Sequence, residues 1–259
     1  MKPIIVRGAG DLATGTIYRL SKSGYSVIVL ESQKPSAIRR QVSFCQAVYE
    51  GKMEVEGMIC TKAESIEKAL EIVEPGKPVL LVDGILAKKN LGTKREMADL
   101  TIALGPGFEA GNDVDYVIET KRGHYLGKII KQGFAIPNTG VPGIIGGYGK
   151  ERVIHAPCTG VFHQHHEIGD WVEAGQSIGW IETETGAVEV RTEISGVLRG
   201  IIQEGYEVTE HFKTADVDPR KESREYCALI SDKARCIAGS VLELVSAFEK
   251  GMLKGNHEN

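Results

Sequence analysis

The residues able to do chemistry sit in glycine-rich stretches that follow short apolar runs. Ile4-Ile5-Val6-Arg7 leads straight into Gly8-Ala9-Gly10-Asp11-Leu12-Ala13. Glycine at 8 permits a tight turn, and glycine at 10 lets the backbone approach a phosphate. Ala13, in the third glycine's place, is small enough for a helix to pack on a strand. The helix start offers free N–H groups and a positive dipole end to an anion. Glu31 closes the next apolar run, where it can take a ribose hydroxyl. Asp11 has two readings: a carboxylate that repels pyrophosphate unless it turns away, or the helix N-cap, paired with Arg7. A second loop, Gly105-Pro106-Gly107-Phe108, is either a nest of N–H groups for an anion or an ordinary tight turn. The cofactor-binding candidates are therefore Gly8, Ala9, Gly10, Asp11, Leu12, Ala13, Glu31, Gly105, Pro106, Gly107 and Phe108. Spacing singles out no catalytic residue.

The elements that must position these residues follow from periodicity. Leu12, Ile17 and Leu20 share one face of a helix closed by Gly24. Val27–Leu30 is the second strand. Ser65–Val73 is an amphipathic helix stopped by Pro75-Gly76. Pro78–Asp83 reads as a buried parallel-type strand and Leu100–Leu104 as another central one, with the short apolar run Tyr116–Glu119 following. The expected fold is α/β: a doubly wound, Rossmann-like parallel sheet whose ligand crevice lies outside the carboxyl ends of the strands. Asp83 and Gly105-Pro106-Gly107 would line that crevice. Arg39 and Arg40 are either a solvated basic helix end or partners for an anion at the sheet edge. His124 and the Asn138-Thr139 pair are loop residues that can meet a ligand, the latter within a Gly/Pro-rich connector.

From Val153 the texture changes to short strands with glycine turns, in two similar halves near Gly160 and Gly196. They suggest a small barrel-sandwich insert like biotinyl and lipoyl domains. The hairpin between the halves, Glu182–Val188, contains no lysine, so a carrier role is excluded for want of an amine to acylate. His163 and His165 share a strand face, but no further ligand at usual spacing supports a metal, and none is expected. Tyr226–Ile230 reads as a last strand, followed by a helix capped at Ser231-Asp232. The expected domains are 1–150 completed by 219–259, with 151–218 inserted.

Net charge is -4, which offers no footprint for nucleic acid. No apolar run reaches membrane-spanning length, and the expectation is a cytoplasmic protein. The five cysteines are scattered, which favours free thiols.

Several segments together resemble the YqeB family of selenium-dependent molybdenum hydroxylase system proteins. They are Val6–Ala13, Gly105–Phe108, Ile118–His124, Pro137–Gly140, Asp216–Arg220 and Ile230–Arg235. The resemblance implies an accessory role in maturing such hydroxylases, with the hydroxylase as partner. It names no catalytic residues. The ligand it suggests is a nucleotide or pterin, with molybdopterin cytosine dinucleotide as the candidate, while the glycine turn and Glu31 suit NAD(P) as well. Two alternatives stand beside it: an NAD(P)-linked oxidoreductase, and a non-catalytic scaffold that docks a hydroxylase. Self-association into a homo-oligomer is left open.

Overall fold

The structure is a computed structural model that describes residues 4–64, 68 and 80–253. The expected helix over Ser65–Val73 lies outside these residues, Lys68 aside. The chain divides into two units: residues 1–33, 43–139 and 230–259, and residues 34–42 and 140–229.

In the first unit the order is β1 (Ile4–Arg7), α1 (Asp11–Lys22), β2 (Val27–Leu30), the short α2 (Ala47–Glu50), β3 (Lys52–Val55) and β4 (Met58–Thr61). Then come β5 (Leu80–Asp83), β6 (Leu100–Leu104), β7 (Glu109–Ala110), β8 (Tyr116–Ile118), β9 (Ile129–Ile130) and β10 (Gly133–Phe134). The last helix, α3, is Asp232–Glu249. Six strands form a sheet in the order β2-β1-β5-β6-β8-β9. The central strands β5 and β6 are buried at every position, which is why Leu80-Leu81-Val82 and Leu100–Leu104 are nearly unbroken apolar runs rather than alternating ones. Helix α1 buries Leu12, Ala13, Ile17 and Leu20. It ends at Ser23, and Gly24 comes next in the left-handed region (φ +91°), where a side chain would be strained. Helix α3 is capped by Ser231, whose hydroxyl accepts from the Ala234 N–H at 3.2 Å. Gly15 lets α3 close on α1: a Cβ there would lie 2.8 Å from that of Ala234.

The expected doubly wound Rossmann-like sheet does not form. The sheet is mixed, because its edge strand β9 runs antiparallel to β8. A doubly wound sheet also needs helical crossovers between successive parallel strands. Between β5 and β6 there is one three-residue 3-10 turn, and between β6 and β8 only a two-residue strand and turns. Helix α3 comes instead from residue 232 onward. The strand expected at Tyr226–Ile230 is also absent. Tyr226 ends a 3-10 turn over Lys221–Tyr226, and the chain then loops to α3. Five residues of suitable β propensity do not make a strand without a neighbour to pair with.

The second unit holds β11 (Val153–His155), β12 (Gly160–Gln164), β13 (Trp171–Val172), β14 (Ser177–Thr183), β15 (Gly186–Arg191), β16 (Gly196–Ile201), β17 (Tyr206–Val208) and β18 (Lys213–Asp218). In place of the expected barrel-sandwich insert there are two separate four-stranded antiparallel sheets, β11-β18-β16-β13 and β15-β14-β12-β17. They share one core, with Phe162, Ile178, Ile181, Leu198 and Ile201 at its centre. Residues 151–218 do not complete the unit. Ile38 packs on the core, and its carbonyl accepts from the Ile201 N–H at 2.9 Å. Arg39 and Arg40 are engaged here too. Arg40 donates to Ile201 O (2.9 Å), Gln203 (3.2 Å) and Gln164 (3.0 Å), and Arg39 reaches the carbonyls of Tyr226 and Leu229. A buried ion pair joins Arg152 to Asp216 at 3.0 Å.

Candidate functional site

The glycine bend after β1 is built as the spacing suggests and filled differently. Gly8 is left-handed (φ +88°), and an added Cβ would lie 2.8 Å from Ile85 Cα. Glycine is therefore required by the neighbouring chain. Gly10 is the N-cap, in extended conformation, with open space around it. Ala13 meets Gly84, where an added Cβ would stand 2.9 Å from the alanine's own, so helix does pack on strand through small residues. Leu12 is a core side chain.

The bend's N–H is already used. Ala9 N donates to Glu31 Oε2 at 2.8 Å, while Glu31 Oε1 accepts from the Ser32 N–H at 2.7 Å. The Ala9 carbonyl accepts from Thr14 Oγ1 (3.1 Å) and the Cys45 N–H (3.0 Å). A carboxylate thus stands where a pyrophosphate oxygen was expected, and Glu31 faces the bend rather than a ribose. This counts against a phosphate at the Ala9 N–H, since it would have to displace a like charge from the same donor. Asp11 is the first helical residue, not the cap. Arg7 turns to β5 instead: it hydrogen-bonds Thr93 Oγ1 and lies 3.5 Å from the buried Asp83, which accepts from Thr93 Oγ1 at 2.5 Å.

The second loop also owes its glycines to close packing. At Gly105 (φ +79°) an added Cβ would be 2.7 Å from Thr120 Oγ1, and at Gly107 (φ +110°) 2.5 Å from the Lys89 nitrogen. Phe108 is buried in a small apolar cluster with Val114, Val117 and Ala135. Pro106 and Gly107 line a cleft of about 390 Å³ together with Lys88, Phe134, Ala135, Pro137 and Asn138.

A charged cluster forms nearby at the carboxyl ends of the strands. Glu119 directly follows β8 and is 2 % exposed. Its two oxygens accept from the Lys121 and Ile136 N–H groups, each at 2.7 Å. Lys233 stands in the first turn of α3. Burial pulls its ammonium below the ordinary lysine range, and the Arg122 guanidinium pushes the same way. The Asp11, Glu119 and Asp232 carboxylates oppose both. Arg122 is tied to Asp232 by two hydrogen bonds, at 2.9 and 3.2 Å. Helices α1 and α3 run side by side in the same sense. Asp11 acts on Lys233 at one end, and Tyr25 donates to Glu249 at 2.6 Å at the other. Both helix N-termini, with their partial positive charge, therefore face this cluster.

Ser231–Arg235 follow the last strand expected from the sequence, and nothing in their spacing gives Lys233 a role. The available signal was its position: a lysine in the first turn of a helix, where acids are favoured. The cluster brings Asp11 together with residues that spacing did not connect to it. Glu31 and Leu12 are held in other contacts. His124 is exposed on the turn after β8.

In the second unit, His163 stacks on Trp180 with ring centroids 4.3 Å apart. Its Nδ1 lies 2.6 Å from Glu204 and its Nε2 3.2 Å from Glu182. Burial alone would lower its pKa; the hydrogen bonds to Glu204 and then Glu182 outweigh it and raise the pKa. Among the described residues, no group of three or more His, Cys, Asp or Glu side chains is placed to hold a metal ion. No described helix is long and apolar enough to cross a membrane.

No family model matches the chain. It is 45 % identical over 256 residues to the uncharacterized protein YqeB of Escherichia coli (strain K12), an alignment covering 93 % of the chain and 46 % of that protein. The chain thus spans about half the length of the curated relative it matches. This relative supports a YqeB family for the chain. Two solved structures resemble it loosely. One is a succinylglutamate desuccinylase/aspartoacylase from Rhodobacter sphaeroides, at 14 % identity over 83 % of this chain and 85 % of that one, with a TM-score of 0.30. The other is the ectoine utilization protein EutE from Ruegeria pomeroyi, at 13 % identity over 83 % and 84 %, with a TM-score of 0.29. Likeness this slight carries no argument about fold or chemistry.

Proposed function

We propose that the chain is an accessory factor in the maturation of selenium-dependent molybdenum hydroxylases, holding an anionic intermediate of that process against Lys233. One observation supports the reading above others. Segments by which the chain resembles the YqeB family meet in one cluster: Asp11 comes from the bend after β1, Glu119 and Arg122 from the turn after β8, and Lys233 from the start of α3. The half-buried Lys233 ammonium and the Arg122 guanidinium supply positive charge near the start of α3, and an oxyanion would bind there in exchange for the exposed Asp232 carboxylate that Arg122 now holds. The Asp11, Glu119 and Asp232 carboxylates favour the charged form of the lysine, against burial and Arg122. The hydride-transfer alternative has less support, because Glu31, which would hold a ribose, is bonded to Ala9.

The test is to produce the chain alongside a selenium-dependent hydroxylase in its host and examine it by native mass spectrometry. A retained pterin or oxyanion mass is expected, lost in Lys233→Met. Hydroxylase activity in a host carrying only the Lys233→Met chain should fall at least about tenfold, the effect of losing one charge-assisted contact of about 1.5–3 kcal/mol. Full hydroxylase activity after deletion of the chain refutes the reading. A hydroxylase that still co-purifies and stays active with Lys233→Met would favour the scaffold alternative.

A further inference from the structure

We infer that the cleft between Lys88, Pro106, Phe134, Pro137 and Asn138 binds a planar heteroaromatic ring of purine or pterin size that carries an anionic substituent. The inference is separate from the Lys233 reading: its residues are different, and its test needs no hydroxylase.

Size sets the first limit. A cleft of about 390 Å³ suits one small molecule and is at the small end of ligand sites. Shape sets the second. Phe134 is 64 % exposed although it sits in a paired strand, with its backbone fixed opposite Glu109 in the β7–β10 ladder. An aromatic ring kept at a cleft wall by backbone pairing offers a flat apolar face for stacking. Pro106 and Pro137 add rigid apolar surface, since their φ angles are fixed. Ala135, also lining the cleft, is small and buried. These features favour a flat ring over a branched chain.

The polar groups are few and different in kind. Lys88 and Asn138 are the lining residues with polar side chains: the first is exposed and carries an ammonium that can reach a substituent at the cleft mouth, and the second carries an amide that can both donate and accept. An amide pairs well with the mixed donor and acceptor edge of a heterocycle. The ammonium selects for negative charge on a substituent. No carboxylate is among the lining residues.

The backbone is held in this shape at a cost. Leu86 and Lys88 both take left-handed φ angles of 61°, which non-glycine residues seldom adopt. Strain of this kind persists where surrounding contacts enforce it, and it gathers at ligand-binding loops. Here the enforcing contact is Gly107, whose α-carbon is pressed so closely against Lys88-Lys89 that no side chain fits between. The opposite wall is fixed as well, because Ile136, between Ala135 and Pro137, donates its N–H to the buried Glu119 at 2.7 Å. The cleft is thus formed before any ligand arrives, which lowers the entropy cost of binding.

The experiment is calorimetric titration of the full chain with three probes: pterin-6-carboxylate, pterin without the carboxylate, and benzoate. Pterin-6-carboxylate is expected to bind with a Kd below about 1 mM and at least about tenfold more tightly than either control, since each control lacks the charge or the second ring. Phe134→Ala should weaken pterin-6-carboxylate about tenfold. The exposed site leaves the fold intact, to be checked by circular dichroism. Lys88→Gln should reduce pterin-6-carboxylate to the level of pterin and leave pterin unchanged. Absence of heat up to about 1 mM, or equal binding by wild type and both variants, overturns the inference. So does equal binding of benzoate and pterin-6-carboxylate.

Discussion

Replacing Glu119 tests how the cleft wall and the charged cluster are held. The side chain is 2 % exposed, and both carboxylate oxygens accept from backbone N–H groups at 2.7 Å. In Glu119→Ala the N–H groups of Lys121 and Ile136 both lose their acceptor. A buried donor left unsatisfied costs about 1–3 kcal/mol. Two of them give about 2–6 kcal/mol, and removal of a buried charge offsets the upper end, so about 3 kcal/mol is expected. Glu119→Gln keeps one acceptor oxygen and presents an NH2 to the other donor, so about half that loss is expected. Hydrogen exchange at the Ile136 amide reads the effect directly. At about 1.4 kcal/mol per decade, its protection should fall about a hundredfold in the alanine variant. Both tryptophans, Trp171 and Trp180, lie in the second unit. Tryptophan fluorescence therefore monitors that unit and serves as the control. A fall in Ile136 protection of less than about threefold would refute the assignment of this carboxylate as the pin.

The same geometry sets other outcomes. Gly8→Ala meets both a left-handed φ and backbone at 2.8 Å and should cost at least about 2 kcal/mol, whereas Gly10→Ala enters open space and should stay within about 0.5 kcal/mol; urea unfolding distinguishes them. Glu31→Ala frees the Ala9 N–H and should destabilise the first unit by about 1–2 kcal/mol, read by exchange at that amide. For His163 the folded pKa is raised, so its stabilisation is complete below the ordinary histidine value of about 6.5 and is lost as pH rises through the folded value. The difference in melting temperature between wild type and a Glu182→Gln/Glu204→Gln variant should accordingly narrow as pH rises above about 6.5, and a constant difference would contradict the assignment. Lys233, lowered by burial and by Arg122, should react faster with trinitrobenzene sulfonate near pH 8 than exposed lysines do, as peptide mapping would show; equal rates would tell against it.

Much of the local architecture was legible in the amino acids. The unbroken apolar runs at 80–82 and 100–104 mark central strands, because only burial on both faces selects such runs. Gly24 ends α1 because no other residue takes that φ cheaply. The small residue at 13 announces a helix pressed on a strand. Spacing could not supply the partner of each polar group. Glu31 lies 22 residues from Ala9, and in sequence it is equally placed to cap a protein N–H or a ribose. Which of them wins is a matter of distance in the folded chain. Lys233 stands more than a hundred residues beyond Glu119 and Arg122, so their mutual field has no sequence signature.

The same division holds for the larger fold. A strand, a helix and another strand in about thirty residues dictate one βαβ unit, and that unit is present. They do not dictate how the later strands join it. The antiparallel edge strand β9, the missing crossover helices and the recruitment of residues 34–42 into the second unit all depend on pairing between distant segments. Local pattern determines which face of a segment must be buried. Only tertiary structure decides against what, because the hydrogen-bond partners and apolar surfaces that compete for that face lie far along the chain.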